Sequence, residues 1–324
     1  MKKTLIGLAV TVLGLSLVSC TTGDDPKPSP SASSSPKANP LEKVKWIDAV
    51  PPTLEFEAPL KLTGESVWRL VAEGDGAGAK ADPGRRVVLE YVLYNGDNGS
   101  VLESSYDTGT PWKYTVPSEA PQGGDYLYDA VHGQTVGSRL LLAWAPQGLE
   151  ESAEQSEAAA GVFLMAVTVA AATPLRAEGE AVEPKTTGLP TVTLDDSGKP
   201  SIKTASGKPP TKLVSEVLIK GDGVELEATD QVYAQYTGWL WDGTQFDSSW
   251  DRGAPATFPL ESLVPGWAQG LTGQTVGSQV LLVIPPELGY GEQGQPPAVP
   301  GGATLIFVVD ILDADKAMLP GGGE

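Results

Sequence analysis

The sequence predicts an α+β chain built from two similar domains, each a curved antiparallel β-sheet wrapped around a short helix. Three observations lead there. The chain repeats itself: "YVLYNGDNGSVLESSYDTGTP" at 91–111 and "YTGWLWDGTQFDSSWDRGAP" at 236–255 share a skeleton of Tyr, a Gly-centred turn, a hydrophobic residue, an acid, Ser-Ser, an aromatic, Asp and Gly-x-Pro. Its apolar segments are short and rich in Val, Ile, Leu, Tyr and Trp, and 38 Gly and 28 Pro punctuate them, which favours strands over long helices. In "VPGWAQGL" at 264–271, Pro265 suits a first helical position, and Trp267 shares a face with Leu271.

The elements follow in chain order. Residues 1–19 read as a secretory signal, with two lysines, an apolar run from Leu5 to Val18 and small residues, too short to span a bilayer. Their end, "LVSC", resembles the lipobox of bacterial lipoproteins. That resemblance implies cleavage before Cys20 and lipidation of its sulfur, and two acyl chains suffice for stable anchoring. Residues 20–40 are Ser/Pro-rich with no apolar period and read as a tether. The first domain runs over 41–175, a Pro/Thr/Gly-rich linker over 176–190 and the second domain over 191–318. "HGQTVGSRLLLAWAP" at 132–146 parallels "TGQTVGSQVLLVIPP" at 272–286, and the lead-in arms at 52–64 and 190–204 also correspond. "NGDNG" and "WDG" carry hairpin-turn signals. "ATLIFVVDIL" at 303–312 suits a central strand with one face under the helix.

Composition excludes several functions. A net charge of −19 repels phosphate backbones, so no nucleic-acid partner is expected. One Cys and one His permit neither an internal disulfide nor a Cys/His zinc site. His132 lies in a turn-like stretch with no Gly-x-Ser-x-Gly nucleophile motif in the chain, and "GDGAG" at 74–78 lacks the context of a dinucleotide fingerprint.

The run "YTGWLWDGTQFDSS", "GWAQGLTGQTVGS", "LLVIPPELGYGEQG" and "VPGGATLIF" resembles the FKBP-type peptidyl-prolyl isomerases over about 110 residues of the second domain. The resemblance implies two FKBP-like domains, a shallow aromatic pocket for Xaa-Pro segments, and no cofactor or metal. It implies Trp267 as floor, Tyr236, Phe246 and Phe307 as walls, and a hydroxyl from Tyr290. Val299 would pack on the rim, Val264 would offer a backbone N–H to the substrate carbonyl, and Asp247 would pair with Tyr and Arg252. Phe258 reads as core packing, and Ser248 and Ser249 as strand-end hydrogen bonders. Departures at Ala256, Gln295 and Ala298, and a shortened segment before Trp267, leave ligand preference and affinity for macrolide immunosuppressant-type ligands open.

Aligned on the second domain, the first keeps Tyr91 and an acid, Glu103. It has Leu102 for Phe246, Thr108 for Arg252 and Leu127 for Trp267, and its loop "QGLEESAEQSEAAAG" lacks Tyr. It reads as degenerate, with client binding, spacing and stabilisation open as its role. The expected protein is an extracytoplasmic peptidyl-prolyl cis-trans isomerase, lipid-anchored to the bacterial cell membrane, that assists folding of exported proteins. The competing reading is a non-catalytic module or chaperone that binds Pro-peptides or proteins.

Overall fold

The computed structural model describes residues 39–62, 66–76, 78–122, 124–145 and 161–316. The segment read as a secretory signal, Cys20, the stretch read as a tether up to residue 38, and residues 146–160 lie outside the described residues. The last two tether residues are ordered differently from expectation. Asn39 caps a 3-10 turn at Pro40–Lys43, accepting from the Leu41 N–H and donating to the Trp68 carbonyl, both at 3.0 Å.

A small hairpin, β1 (Lys45–Ile47) with β2 (Thr53–Glu55), precedes the first sheet. That sheet holds β3 (Ser66–Ala72), β4 (Arg86–Asn95), β5 (Val101–Ser104), β6 (Trp112–Thr115), β7 (Arg139–Trp144) and β8 (Phe163–Ala172). Two short helices, α1 (Ser105–Thr108) and α2 (Tyr126–Val131), accompany it. The strand order is β3-β7-β8-β4-β5, and β6 pairs with the other end of the β4 edge.

The second sheet repeats this path with β12 (Val214–Lys220), β13 (Gln231–Leu240), β14 (Gln245–Ser248), β15 (Ala256–Pro259), β16 (Gln279–Ile284), β17 (Leu305–Asp315) and helix α3 (Pro265–Leu271). Its order is β14-β13-β17-β16-β12, extended by β9 (Glu180–Ala181). The stretch read as a linker thus adds a two-residue edge strand to β12. The hairpin β10 (Thr191–Leu194) with β11 (Pro200–Lys203) stands apart from the ladder.

Both faces of the second sheet are covered, which explains why its central strands are buried along most of their length and largely apolar. Every residue of β16 is buried. On one face Trp267 and Leu271 of α3 pack with Leu282, Ile284 and Phe307. On the other, Trp239, Leu281, Ile306 and Val308 pack against Val192 and Ile202 of the β10–β11 hairpin. The first sheet is built alike, with Leu127 and Val131 on the helix side and Leu41, Val44 and Leu54 from the lead-in arm on the back. Sequence reading placed only the helix over each sheet; the second cover comes from arms with weak patterns of their own.

The two sheets meet through Arg86, which is 6% exposed. Its guanidinium lies 4.2 Å from the Tyr233 ring centre and donates to Asp315 (2.8 Å), Asp313 (3.3 Å) and the Thr257 hydroxyl (3.0 Å). Lys113 donates to the same carboxylates, to Asp315 at 2.6 Å and to Asp313 at 2.9 Å. The Tyr233 hydroxyl donates to the Gly84 carbonyl at 2.5 Å. Removing Arg86 leaves Asp313 and Asp315 with Lys113 as their cation and deletes a stacked guanidinium whose Nη1 serves both carboxylates while Nη2 serves Thr257, a fork that lysine cannot replace. Arg86→Ala is expected to cost about 2 kcal/mol. In thermal unfolding followed by near-ultraviolet circular dichroism, the variant's transition should be broader than the parent's or divide in two; a transition unchanged from the parent's would contradict this role.

Asp310 on β17 is 1% exposed and accepts from the Ala177 N–H and from Gln279 Nε2, each at 2.8 Å. Burial pushes its carboxyl up to about 6, against the bonds from Ala177 and Gln279. The folded chain therefore keeps this proton where the unfolded chain has lost it. That contribution to stability is full below about pH 4 and is lost as pH rises through about 6. Asp310→Asn, with the Gln279 amide turned to accept, should flatten stability across this window, by at most about 3 kcal/mol. Parallel pH profiles of parent and variant in urea unfolding would refute it.

Candidate functional site

The site grows from β13, where Tyr236 and Gly238 lie on the face that looks toward α3. Tyr236 is fixed from behind, since its N–H donates to the Ser249 hydroxyl at 2.8 Å, while Ser248 bonds the Thr237 hydroxyl at 2.9 Å. Both serines are thus spent on holding the strand. The Tyr236 ring meets Trp267 edge-on at 5.5 Å, and Trp267 meets Phe307 edge-on at 5.2 Å. Phe307 in turn receives Phe246 at 5.4 Å and 89°. Edge-to-face contacts of this kind add to the burial of the rings and fix their tilt.

Glycines make this arrangement possible. A Cβ on Gly238 would lie 2.7 Å from both Phe246 and Phe307. On α3, a Cβ on Gly266 would come within 2.4 Å of Ile284, and one on Gly270 within 2.5 Å of Leu282. The helix therefore rests directly on β16, and Trp267, next in sequence to Gly266, is set into the sheet face with 4% exposure. Pro265 starts the helix, as the sequence predicts.

The rings enclose a cavity of about 420 Å³. Of the residues singled out from sequence, Tyr236, Phe246, Asp247, Val264, Trp267, Tyr290 and Phe307 line it. Val264 is the N-cap of α3, and its own N–H carries no hydrogen bond among the described residues. The Tyr290 hydroxyl likewise has no partner among them, and burial holds its proton above the ordinary tyrosine range.

Arg252 stands behind the wall. It donates to the Asp247 carboxylate and, at 2.7 Å, to the Tyr236 hydroxyl, which itself donates to Asp247. Burial, then the Asp247 hydrogen bond, pushes Tyr236 up to about 12, so it stays a neutral phenol. Asp247 is accordingly occupied by two partners and is placed to orient Tyr236.

Val299 departs from the rim position that the resemblance implied. It is 1% exposed and packs in the core cluster that holds Trp267 and Phe307, and its backbone pairs with Gln295 in an isolated bridge. The residues this loop presents to the cavity are Gln295, Pro296 and Ala298. Phe258 also differs from its reading as core alone: it lines the cavity and touches Trp267 at 5.9 Å. It stands on β15, paired with Val232 of β13. Among the described residues no cluster of His, Cys, Asp and Glu could hold a metal ion.

Such a cavity can bind a compact apolar ring, exclude water from it and offer two hydrogen-bond donors at its edge. Comparison with known proteins agrees with the location. A family model described as FKBP-type peptidyl-prolyl cis-trans isomerase matches residues 223–312. The "Probable FK506-binding protein" of Corynebacterium glutamicum is 40% identical over 117 residues, which are 36% of this chain and 98% of that one. "Peptidyl-prolyl cis-trans isomerase FKBP15-2" of Arabidopsis thaliana is 48% identical over 103 residues, 31% of this chain and 62% of that one. "FKBP-type peptidyl-prolyl cis-trans isomerase FkpA" of Aeromonas hydrophila is 39% identical over 149 residues, 46% of this chain and 53% of that one. The chain thus spans less than two thirds of the length of the last two relatives, and the match falls on the sheet that carries the cavity. On the near-complete span of the Corynebacterium relative, the chain belongs to the FKBP-type peptidyl-prolyl cis-trans isomerase family.

Proposed function

We propose that the chain catalyses cis-trans isomerisation of Xaa-Pro peptide bonds in the cavity of its second sheet. The observation that carries this reading is the enclosure of one cavity by Tyr236, Phe246, Trp267 and Phe307, with the Tyr290 hydroxyl and the Val264 N–H uncommitted beside it.

Amide resonance sets a barrier of about 18–20 kcal/mol to rotation about the bond. The two end states differ by only about 0.5–1 kcal/mol for Xaa-Pro, so catalysis means favouring the twisted amide between them. In the twisted form resonance is lost and the carbonyl carries less negative charge. Water stabilises the planar, polar amide more than the twisted one. A cavity walled by rings withholds that water and so raises the ground state relative to the transition state. Trp267 and Phe307 hold the proline ring by shape, and Tyr290 and the Val264 amide fix the carbonyl side while the proline side turns. No proton leaves and no covalent intermediate forms. Both phenols remain protonated at neutral pH, so the donors keep their form.

The same reading extends to the setting. Among the described residues no helix is long and apolar enough to cross a membrane. The "LVSC" ending of the signal segment supports attachment through a lipid on Cys20, outside the cytoplasmic membrane, where exported proteins emerge unfolded. A macrolide ligand would compete with proline for the same cavity.

Trp267→Ala combined with Tyr290→Phe, in the full chain, removes floor and hydroxyl together. We expect at least a 30-fold loss of acceleration in proline-limited refolding, corresponding to about 2 kcal/mol of barrier, with the circular dichroism spectrum retained. A double variant that kept most of the parent's turnover would move the activity elsewhere. A folded parent that left refolding at its spontaneous rate would make the cavity a binding site only.

A further inference from the structure

The first sheet has a cleft of its own, and its lining differs from what the missing residues suggest. Leu127 occupies the position of Trp267 and is 3% exposed, so the floor is lost there. The neighbouring positions compensate. Tyr126 stands where the second sheet has Gly266, and Trp144 where it has Ile284. These two rings stack at 5.2 Å and 19°, replacing the contact that the glycine permits. Met165 takes the place of Phe307 in the register of the central strands. Trp112, on β6 at the position of Ala256, stands 41% exposed. Together with Tyr91 and Glu103 these side chains line a cavity of about 440 Å³.

Its electrostatics are also altered. The Tyr91 hydroxyl donates to Glu103 at 2.5 Å, repeating the Tyr236–Asp247 contact. In the second sheet Arg252 neutralises that carboxylate. Here Thr108 takes its place and bonds the Ser104 carbonyl at 3.2 Å and the Thr110 hydroxyl at 2.6 Å. No ion pair reaches Glu103 among the described residues, and its one hydrogen bond comes from Tyr91. An aromatic cleft with an uncompensated carboxylate at its wall attracts a cation twice over, through the ring faces and through the charge.

We propose that this cleft is a second binding site, which takes a lysine or arginine side chain of a polypeptide. Its aliphatic stem lies along Trp112, Trp144 and Met165, and its charged head meets Glu103 and the ring of Tyr91. A polypeptide fits better than a free small cation because the mouth continues onto an edge strand. Val101 and Leu102, which precede Glu103 on β5, are 54% and 47% exposed and offer apolar contact to residues flanking the cation. The chain's net charge of −19 favours the approach of basic segments.

Fluorescently labelled, end-capped and proline-free pentapeptides, Ala-Ala-Xaa-Ala-Ala, test this with the full chain, because they give the other cavity no proline to hold. With Xaa as lysine or arginine, binding by fluorescence anisotropy should be about tenfold tighter than with norleucine, and weaker still with glutamate. Glu103→Gln should bring the lysine peptide to the norleucine level. Trp112→Ala should weaken every peptide about tenfold. Both replaced side chains are exposed, so near-ultraviolet circular dichroism and prolyl isomerisation should stay at the parent's level. Equal binding of the lysine and norleucine peptides, lysine binding untouched by Glu103→Gln, or no binding of any peptide would each overturn the proposal.

Discussion

The close approach of α3 to β16 sets the rest of the second site. It depends on two side chains being absent. With Gly266 and Gly270 against Ile284 and Leu282, the helix backbone lies directly on the sheet, where a single added carbon would collide. Trp267 can then reach between Tyr236, Phe258 and Phe307 with its ring across the base of the cavity. A helix held further out would lift the indole off Phe307 and open the floor to water. Gly238 does for the walls what the helix glycines do for the floor. The cavity surface is thus shaped by backbone clearance before any polar group is considered, and the polar groups are few. Arg252 and Asp247 hold Tyr236, and Tyr290 and Val264 offer donors.

The first sheet shows what the same backbone does when that clearance is filled. Tyr126 and Trp144 stack where glycine and isoleucine would touch, Leu127 shrinks the floor, and Leu93 stands in the register position of Gly238. The strand order is nevertheless kept, because the central pairing β4–β8 mirrors β13–β17 residue for residue around Tyr91 and Tyr236. Fold and site have therefore been separated within one chain. The ladder and turns hold the sheet, and a handful of side chains on one face decide what the sheet receives. Arg86 and Lys113 then fasten the two sheets together at the ends of β4, β6 and β17.

Much of this was legible in the sequence because the signals were local or repeated. The Asp242–Gly243 turn, with Gly243 at φ +91°, ends β13 where the hairpin signal puts it. Pro265 marks the first residue of α3. The internal repeat gave the second copy of the sheet. What escaped reading is set by distance in space. The two residues of β9 have no period to detect, and only the free edge of β12 makes them a strand. Phe258 alternates correctly for a core residue, and the cavity happens to open beside it. Val299 is buried in the core beside a bridge to Gln295 that no motif announces. The cleft of the first sheet was hidden because Trp112, Tyr126 and Trp144 sit on three elements, at positions where the second sheet has Ala256, Gly266 and Ile284.

The central claim is that proline is held on the floor made by Trp267. Transferred nuclear Overhauser effects from the ring protons of a short Xaa-Pro peptide to the full chain test it most directly. The account predicts contacts from the proline ring to the Trp267 indole and to Phe307, with exchange between the cis and trans peptide signals in the same sample. Contacts to Trp112 and Trp144 of the first sheet, with Trp267 silent, would contradict it.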